Sequence, residues 1–496
     1  MLNDILLALY AVATVQNLLI MIAGIWGGVI VGAIPGMTGT MAVTLALPFT
    51  FYMDPVPSIL LLVALYKGST YGGSVSAILI KTPGTASAAC TALDGYPLAQ
   101  QGKAGKALNM ALYSSVTGDF ISNLSLIFFA APLAVLALRI GPPEFFMLML
   151  FALTTVAGVS GNSLLLGLVS AALGLLLATV GEDMYGSFRF AFTPDMQAGL
   201  SIAPVLIGLF ALPELIKLVV MRAAKKEEAA TLGAQHVTRE EFMGSLRSIL
   251  KGSVIGSFLG AIPGIGPSSA AFFSYGEAQR SSKNGANFGK GELEGIAASE
   301  SANNGACGAT MIPLMALGVP GDVITGVMLG AFMIHGLTPG PRLFQNNIGD
   351  VYALFIGILF SSIFLFIAGK VTAGAFTKIS RIPQTLLLPC LLILCVYGIY
   401  SIGASPFDVT VLLVMGVVGF AMMLLNIPAA PFLIAFILGP MLEENLRRAM
   451  AISRGDPSVL LSTPITWIFA ALIVFALGFT LRREIRKTKT ERQVAQ

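Results

Sequence analysis

Apolar segments of about the length that crosses a bilayer recur along most of the chain. An α-helix rises about 1.5 Å per residue, so crossing a hydrocarbon core of about 30 Å takes roughly 20 apolar residues. The segments that approach this length are Asn17–Ile34, Leu124–Leu138, Phe145–Val159, Leu164–Val180, Ile202–Met221, Leu354–Ala368, Thr385–Ile402, Val409–Leu425 and Ile465–Leu481. With the shorter apolar pieces between them, the pattern predicts an all-α polytopic integral membrane protein with roughly ten to twelve transmembrane segments.

Composition excludes a soluble protein. The chain is 56% hydrophobic and 11% charged, with a mean hydropathy of +0.85, whereas soluble domains carry about 25% charged residues. The net charge of +4 is modest, and the basic stretch Arg482–Arg492 predicts a cytoplasmic anchor rather than nucleic-acid binding. The four cysteines show no paired spacing, so neither a disulfide nor a metal centre is expected.

A glycine-rich motif occurs twice. Gly-Ala-Ile-Pro-Gly stands at Gly32–Gly36 and again at Gly260–Gly264. Further glycines precede each copy at every fourth position, namely Gly24, Gly28, Gly252 and Gly256. Glycine at this spacing leaves one face of a helix bare, so that another backbone can approach closely. The Pro-Gly pair then interrupts the helix.

Other landmarks repeat at a similar separation. Each half has a second break, Thr82–Gly84 and Val319–Gly321, and each later contains an Ala-Pro motif, Ala203–Ile207 and Ala430–Ile434. We therefore predict two homologous repeats with broken or re-entrant helices. The predicted organisation is a first transmembrane repeat (1–221), a hydrophilic cytoplasmic linker (222–251), a second transmembrane repeat (252–462) and an extra C-terminal helix with a basic tail (463–496).

The distribution of basic residues indicates how the repeats are oriented. The first Lys or Arg is Lys67, so no basic leader of a signal peptide is evident and the N-terminus is expected outside. The linker and the C-terminus carry many basic residues and are expected in the cytoplasm. This favours inverted repeats over parallel ones, although Arg447, Arg448 and Arg454 then fall on the outer side.

Broken helices inside a bilayer predict a binding site. Their exposed backbone groups must be buried in protein or line a cavity, and the helix N-termini that follow attract carboxylates. Packing alone is the alternative explanation for a single kink, but four breaks in two symmetric pairs favour a site. The predicted substrate-binding residues are Pro35, Gly36, Thr38, Gly72, Gly73, Ser74, Lys81, Thr82, Pro83, Gly84, Thr85, Gly264, Gly266, Ser268, Pro320, Gly321 and Asp322.

Ionisable and amide residues inside apolar segments are further candidates. Lys81 either supplies a positive charge for an anionic substrate or extends to the membrane interface. Asp322 either helps to bind a cation or caps the helix that follows, and capping is favoured. Asn303, Asn304 and Gly305 are the predicted cation-binding residues, because amide and carbonyl oxygens suit Na⁺. Lys67 and Glu300 also stand next to or within apolar stretches.

Enzymatic motifs are missing from the sequence. No His-Glu-x-x-His motif, Walker-type loop or Gly-x-Ser-x-Gly motif is present. His335 is interpreted as a helix-end residue rather than a proton relay. We therefore expect no catalytic residue and no cofactor, and an anion channel or an intramembrane enzyme is kept as the alternative to a carrier.

Several long motifs resemble those of one family. They are Tyr71–Ser74, Thr82–Thr85, Ala92–Pro97, Asn304–Gly305, Ile312–Leu314, Gly318–Gly321 and His335–Pro341. From about Leu18 to Leu481 the chain resembles the large membrane subunit of the tripartite tricarboxylate transporters, the TctA family of bacteria. Members of that family often have Asn where this chain has Lys81, which leaves citrate itself in doubt as the substrate.

The resemblance implies a multi-pass secondary active transporter, a symporter of the bacterial inner membrane. It implies two partner proteins, a small membrane subunit and a periplasmic solute-binding protein. The implied substrates are tricarboxylates such as citrate, dicarboxylates or other organic acids, and the implied coupling ion is Na⁺ or H⁺.

Overall fold

A computed structural model describes residues 2–34, 37–159, 163–220, 236–379 and 384–494. Within these ranges the chain forms twenty α-helices and one two-stranded hairpin. The predicted site residues Pro35 and Gly36, and residues 222–235 of the predicted linker, lie outside the described residues.

The helices of the first part of the chain are α1 (Leu2–Val12), α2 (Val15–Ala33), α3 (Gly39–Thr50), α4 (Pro55–Ile80), α5 (Ala88–Leu98), α6 (Ala104–Ala137), α7 (Pro142–Val159), α8 (Leu164–Ala178) and α9 (Ile202–Val220). Strands β1 (Gly181–Glu182) and β2 (Phe188–Arg189) pair antiparallel between α8 and α9.

The helices of the second part are α10 (Arg239–Gly260), α11 (Gly266–Ser281), α12 (Leu293–Ala309), α13 (Met311–Leu317), α14 (Val323–Ile334), α15 (Pro341–Asn346), α16 (Ile348–Ile379), α17 (Gln384–Gly403), α18 (Pro406–Leu424), α19 (Ala429–Ile452) and α20 (Pro464–Val494). Residues 239–251, which the sequence placed in the linker, begin α10. Thr238 and Glu241 form a capping box there, which supports a helix start despite the polar composition.

The all-α polytopic prediction is confirmed. Six helices of the described chain are long and apolar enough to cross a membrane: Val15–Ala33, a span within Ala88–Ala137, Ile348–Val371, Pro406–Leu424, Ala429–Ile452 and Pro464–Arg482. Five shorter apolar helices accompany them. Large apolar side chains such as Phe128, Trp467 and Phe475 lie exposed on the surface, as expected for residues that face lipid.

The chain divides into two compact units, and each contains a segment from either half of the sequence. The first unit combines Met1–Ala134 with Glu214–Gly398, and the second combines Val135–Pro213 with Ile399–Gln496. In the first unit α2 packs along α4, α10 packs along α12, and α12 also contacts α4 and α5. In the second unit α7, α8, α19 and α20 pack together.

The second unit contains Arg447 and Arg448, which inverted repeats would place on the outer side of the membrane. Arg447 lies 3.1 Å from a carboxylate oxygen of Asp183 and 2.7 Å from one of Glu443. Arg448 pairs with Glu444. The orientation of the two repeats stays a prediction.

Candidate functional site

The glycine faces of α2 and α10 bring helices into direct backbone contact. A Cβ added at Gly28 would lie 2.4 Å from the Leu65 carbonyl oxygen of α4, and one at Gly256 would lie 2.4 Å from the Ala302 carbonyl oxygen of α12. Real Cβ atoms do not approach an oxygen this closely, so only glycine fits at either position. The close backbone approach predicted from the glycine spacing is confirmed, in each half of the sequence.

The helix breaks take part in further close backbone contacts. In the first half, the Gly84 N–H donates to the Gly73 carbonyl oxygen at 3.3 Å, and a Cβ on Gly84 would lie 2.0 Å from the Gly32 carbonyl oxygen. In the second half, the Gly264 N–H donates to the Gly321 carbonyl oxygen at 2.8 Å. The break at Gly84 is therefore paired with the backbone of α4, and the two breaks of the second half are paired with each other, which satisfies polar groups that lipid cannot.

Three of the four helices that follow these breaks begin next to one another. The first residue of α3, Gly39, lies beside α14, because an added Cβ would be 3.2 Å from the Ile324 side chain. The first residue of α11, Gly266, lies beside the residue that caps α14, with 3.4 Å between an added Cβ and the Asp322 Cβ. The positive ends of α3, α11 and α14 thus converge.

Asp322 is the N-cap of α14, as the sequence analysis favoured. Its carboxylate accepts two hydrogen bonds from Thr325, one from the backbone N–H at 2.8 Å and one from the hydroxyl at 2.7 Å. The Tyr66 hydroxyl of α4 donates to the same carboxylate at 2.6 Å. The end of α14 is therefore already occupied by a carboxyl group of its own chain.

The ends of α3 and α11 carry no acidic cap. Thr38 caps α3 with its hydroxyl, which accepts from the Met41 N–H at 3.2 Å. Ile265 precedes α11, where no side chain caps the helix. Ser268 lies half-buried in the first turn of α11. Apart from the N–H of Met41, the first N–H groups of α3 and α11 have no side-chain partner among the described residues, and free N–H groups at a helix start attract carboxylates.

The residues before the fourth helix start, that of α5, lie against α2 and α4, because a Cβ added at Gly84 would be 2.0 Å from the Gly32 carbonyl oxygen and one at Gly73 would be 2.9 Å from the Thr85 nitrogen. Lys81, Thr82 and Pro83 are exposed there, and Thr85 caps the first turn by accepting from the N–H of Ala88 at 3.3 Å. Lys81 ends α4 in the left-handed conformation, with φ of 55°, and its ammonium group lies 5.5 Å from the centre of the Tyr96 ring. Asn adopts this conformation more readily than Lys.

The remaining predicted residues lie inside two helices of the first unit. Gly72, Gly73 and Ser74 are buried in α4, and Asn303, Asn304 and Gly305 are buried in α12. Glu300 of α12, which the predicted site did not include, connects the two groups. Its carboxylate accepts a hydrogen bond from the Ser74 hydroxyl of α4 at 2.5 Å.

A buried ion pair is a second feature that the site prediction missed. The Lys67 ammonium group lies 3.1 Å from the Asp119 carboxylate of α6, and both side chains are almost fully buried. It also donates to the Ile358 carbonyl oxygen at 2.8 Å and to the Ser361 hydroxyl at 2.9 Å. Asp119 stands among small and polar residues just before the apolar segment Leu124–Leu138, so the search for ionisable residues inside apolar segments passed over it.

Asp94 anchors the loop before α12. One of its carboxylate oxygens accepts from the N–H groups of Gly289, Gly291 and Glu292 at 2.8, 2.9 and 2.8 Å. The other accepts from the Tyr275 hydroxyl of α11 at 2.8 Å. Asp94 belongs to the Ala92–Pro97 motif, and its contacts show that this motif holds α5, α11 and α12 in place.

Comparison with known proteins agrees with this architecture. The family model for the tripartite tricarboxylate transporter TctA family matches residues 18–434. An uncharacterized 52.8 kDa protein in the TAR-I ttuC′ 3′ region of Agrobacterium vitis is 35% identical over 496 residues, which cover 99% of this chain and 98% of that protein.

A second relative is shorter. An uncharacterized protein in the TAR-II ttuC′ 3′ region of the same organism is 37% identical over 236 residues, which cover 48% of this chain and 98% of that protein. No solved structure matches the chain significantly. The family match and the full-length relative together show that this chain belongs to the tripartite tricarboxylate transporter TctA family, a family of transporters rather than enzymes.

Proposed function

We propose that the chain is the large transmembrane subunit of a binding-protein-dependent secondary carrier in the bacterial inner membrane. It carries tricarboxylates or related organic acids and is coupled to a Na⁺ or proton gradient. It works with a small membrane subunit and a periplasmic solute-binding protein. Its family membership supports the transporter role, and the site geometry supports an anionic substrate.

The observation that carries the proposal is the convergence of the N-termini of α3, α11 and α14 at helix breaks. Uncapped N–H groups at a helix start bind carboxylates without a buried cation. Because Asp322 occupies the end of α14, the substrate carboxylates bind at the ends of α3 and α11, near Thr38, Gly266 and Ser268. The breaks at Gly264 and Gly321 hold these ends in position.

In this proposal the predicted site residues from the first half of the sequence have two roles. Gly72, Gly73 and Gly84 allow the close packing on which the breaks depend. Lys81, Thr82 and the neighbouring break line the approach to the site, where a positive charge attracts anions. The predicted cation ligands Asn303, Asn304 and Gly305 lie deeper, within α12.

Uptake by matched glycine variants tests the proposal. The three subunits are reconstituted into liposomes, and uptake of labelled citrate, dicarboxylates and monocarboxylates is measured with and without Na⁺. A Cβ at Gly321 would lie 2.8 Å from three atoms of Thr310, whereas nothing lies within 4 Å of a Cβ at Gly276. We expect Gly321→Val to abolish uptake and Gly276→Val to retain it. Normal uptake by a well-inserted Gly321→Val protein would contradict the assignment.

A further inference from the structure

The carboxylate of Glu300 is completely buried in α12. Three hydroxyl groups from three other helices donate to it: Ser74 of α4 at 2.5 Å, Ser115 of α6 at 2.8 Å, and Thr91 of α5. The Asn304 amide group of α12 also approaches it, at 3.4 Å. Four helices of the first unit therefore surround one carboxylate.

No positive side chain pairs with this carboxylate. Among the described residues, Glu300 forms no ion pair with Lys, Arg or His, and the buried Lys67 is paired with Asp119 instead. An isolated carboxylate away from water is strongly unfavourable unless a proton or a bound cation compensates it. Neutral hydroxyl groups stabilise the charge without cancelling it.

Two amide side chains beside Glu300 have oxygen atoms with no partner. Among the described residues, neither the Asn303 amide oxygen nor the Asn304 amide oxygen has a hydrogen-bond partner, and the Asn303 side chain lies beside the Glu300 carboxylate. Both side chains are fully buried. Buried polar atoms without a partner are rare in folded proteins and call for an explanation such as an ion.

We propose that Glu300, Asn303 and Asn304 form the binding site of the coupling cation, and that this cation is Na⁺. This inference rests on the proposed carrier function and adds the charged ligand that the sequence-predicted set lacked. Glu300 supplies the negative charge, the two amide oxygens supply neutral ligands, and hydroxyl oxygens of Ser74 and Ser115 lie within reach of the same carboxylate.

One carboxylate among neutral oxygen atoms favours a monovalent metal cation over a proton or a divalent cation. A proton on Glu300 neutralises the charge but leaves the oxygens of Asn303 and Asn304 unpartnered. A divalent cation such as Ca²⁺ usually takes several carboxylates, and one carboxylate is present here. A monovalent hard cation needs oxygen ligands and one negative charge, as this cluster provides.

Direct Na⁺ binding tests the inference without any transport. Equilibrium binding of radioactive Na⁺ to the purified protein is measured with K⁺ or choline as the competing salt. Glu300→Gln keeps the size of the side chain and removes its charge, so we expect Na⁺ affinity to fall roughly ten- to a hundredfold. Glu240→Gln, the same change at an exposed position in the first turn of α10, is the matched control and should bind Na⁺ normally.

A second variant covers the case in which Glu300→Gln fails to fold. Asn303→Ala removes an amide oxygen that has no partner among the described residues and keeps the three hydroxyl donors of Glu300, so the protein should fold, and its Na⁺ affinity should fall as well. Unchanged Na⁺ affinity in a folded Glu300→Gln or Asn303→Ala protein would overturn the inference, as would uptake driven by a pH gradient alone. If the unmodified protein binds Na⁺ and the variants do not, the cation site is upheld. If that unmodified protein also transports no organic acid, the proposed function is refuted while the site stands.

Discussion

The buried pair Lys67–Asp119 allows a quantitative test of how the first unit is held together. Lys67 of α4 has four acceptors, and Asp119 of α6 also accepts from the Ser362 hydroxyl of α16 at 2.6 Å. Removing one partner leaves an uncompensated buried charge, which costs about 3–5 kcal/mol. We therefore expect Lys67→Met and Asp119→Leu each to lower the free energy of unfolding by about that amount.

The double replacement Lys67→Met/Asp119→Leu should recover most of this loss, because no charge remains to be compensated. The assay is equilibrium unfolding in mixed micelles, applied to all four proteins of the double-mutant cycle. A partly exposed pair provides the control. The Lys106 ammonium group lies 2.6 Å from a carboxylate oxygen of Glu241, and the two side chains are 18% and 31% exposed. Breaking that pair should cost less than about 1 kcal/mol.

The result that would refute this reasoning is additivity. If the losses of the two single variants simply add in the double variant, within about 0.5 kcal/mol, the two charges do not depend on each other. A double variant that unfolds normally but no longer transports would show a further, functional role of the pair.

Three other predictions concern positions with distinct structural roles. Asp94→Asn replaces a charged acceptor of three N–H groups and should destabilise the protein by about 1.5–3 kcal/mol, measured in the same unfolding assay. Lys81→Asn should keep the wild-type free energy of unfolding, because Asn tolerates the left-handed conformation. Lys81→Val should lower it by about 1–2 kcal/mol. Equal stability of the two variants would contradict the left-handed conformation at this position. Gly256→Leu should prevent close packing on Ala302 and cost at least about 1–3 kcal/mol, while Gly276→Leu, which faces open space, should be neutral by the same measure.

The sequence predicted the features that depend on local pattern. Apolar length located the membrane helices, and glycine at every fourth position located the faces where α2 meets α4 and α10 meets α12. Pro-Gly pairs located the breaks, and Asp322 was expected to cap α14. Each of these follows from a short stretch of chain, in which spacing alone determines the structure.

Contacts between distant segments were not predictable in the same way. Glu300 was noted as ionisable, but its hydroxyl partners come from α4, α5 and α6, which one sequence does not place together. Asp119 and Asp94 went unnoticed because their partners, Lys67 and the loop before α12, are distant along the chain. The convergence of three helix starts likewise depends on packing between the two halves of the sequence.

The central claim is that this chain moves an organic acid by coupling it to an ion gradient. The most direct test is accumulation of labelled citrate and dicarboxylates in liposomes that contain all three subunits, with an imposed inward Na⁺ gradient. We expect the internal concentration of at least one of these acids to rise above the external one and to fall back when the Na⁺ gradient is dissipated. Equilibration without accumulation, unaffected by any ion gradient, would contradict the account and would identify a channel instead.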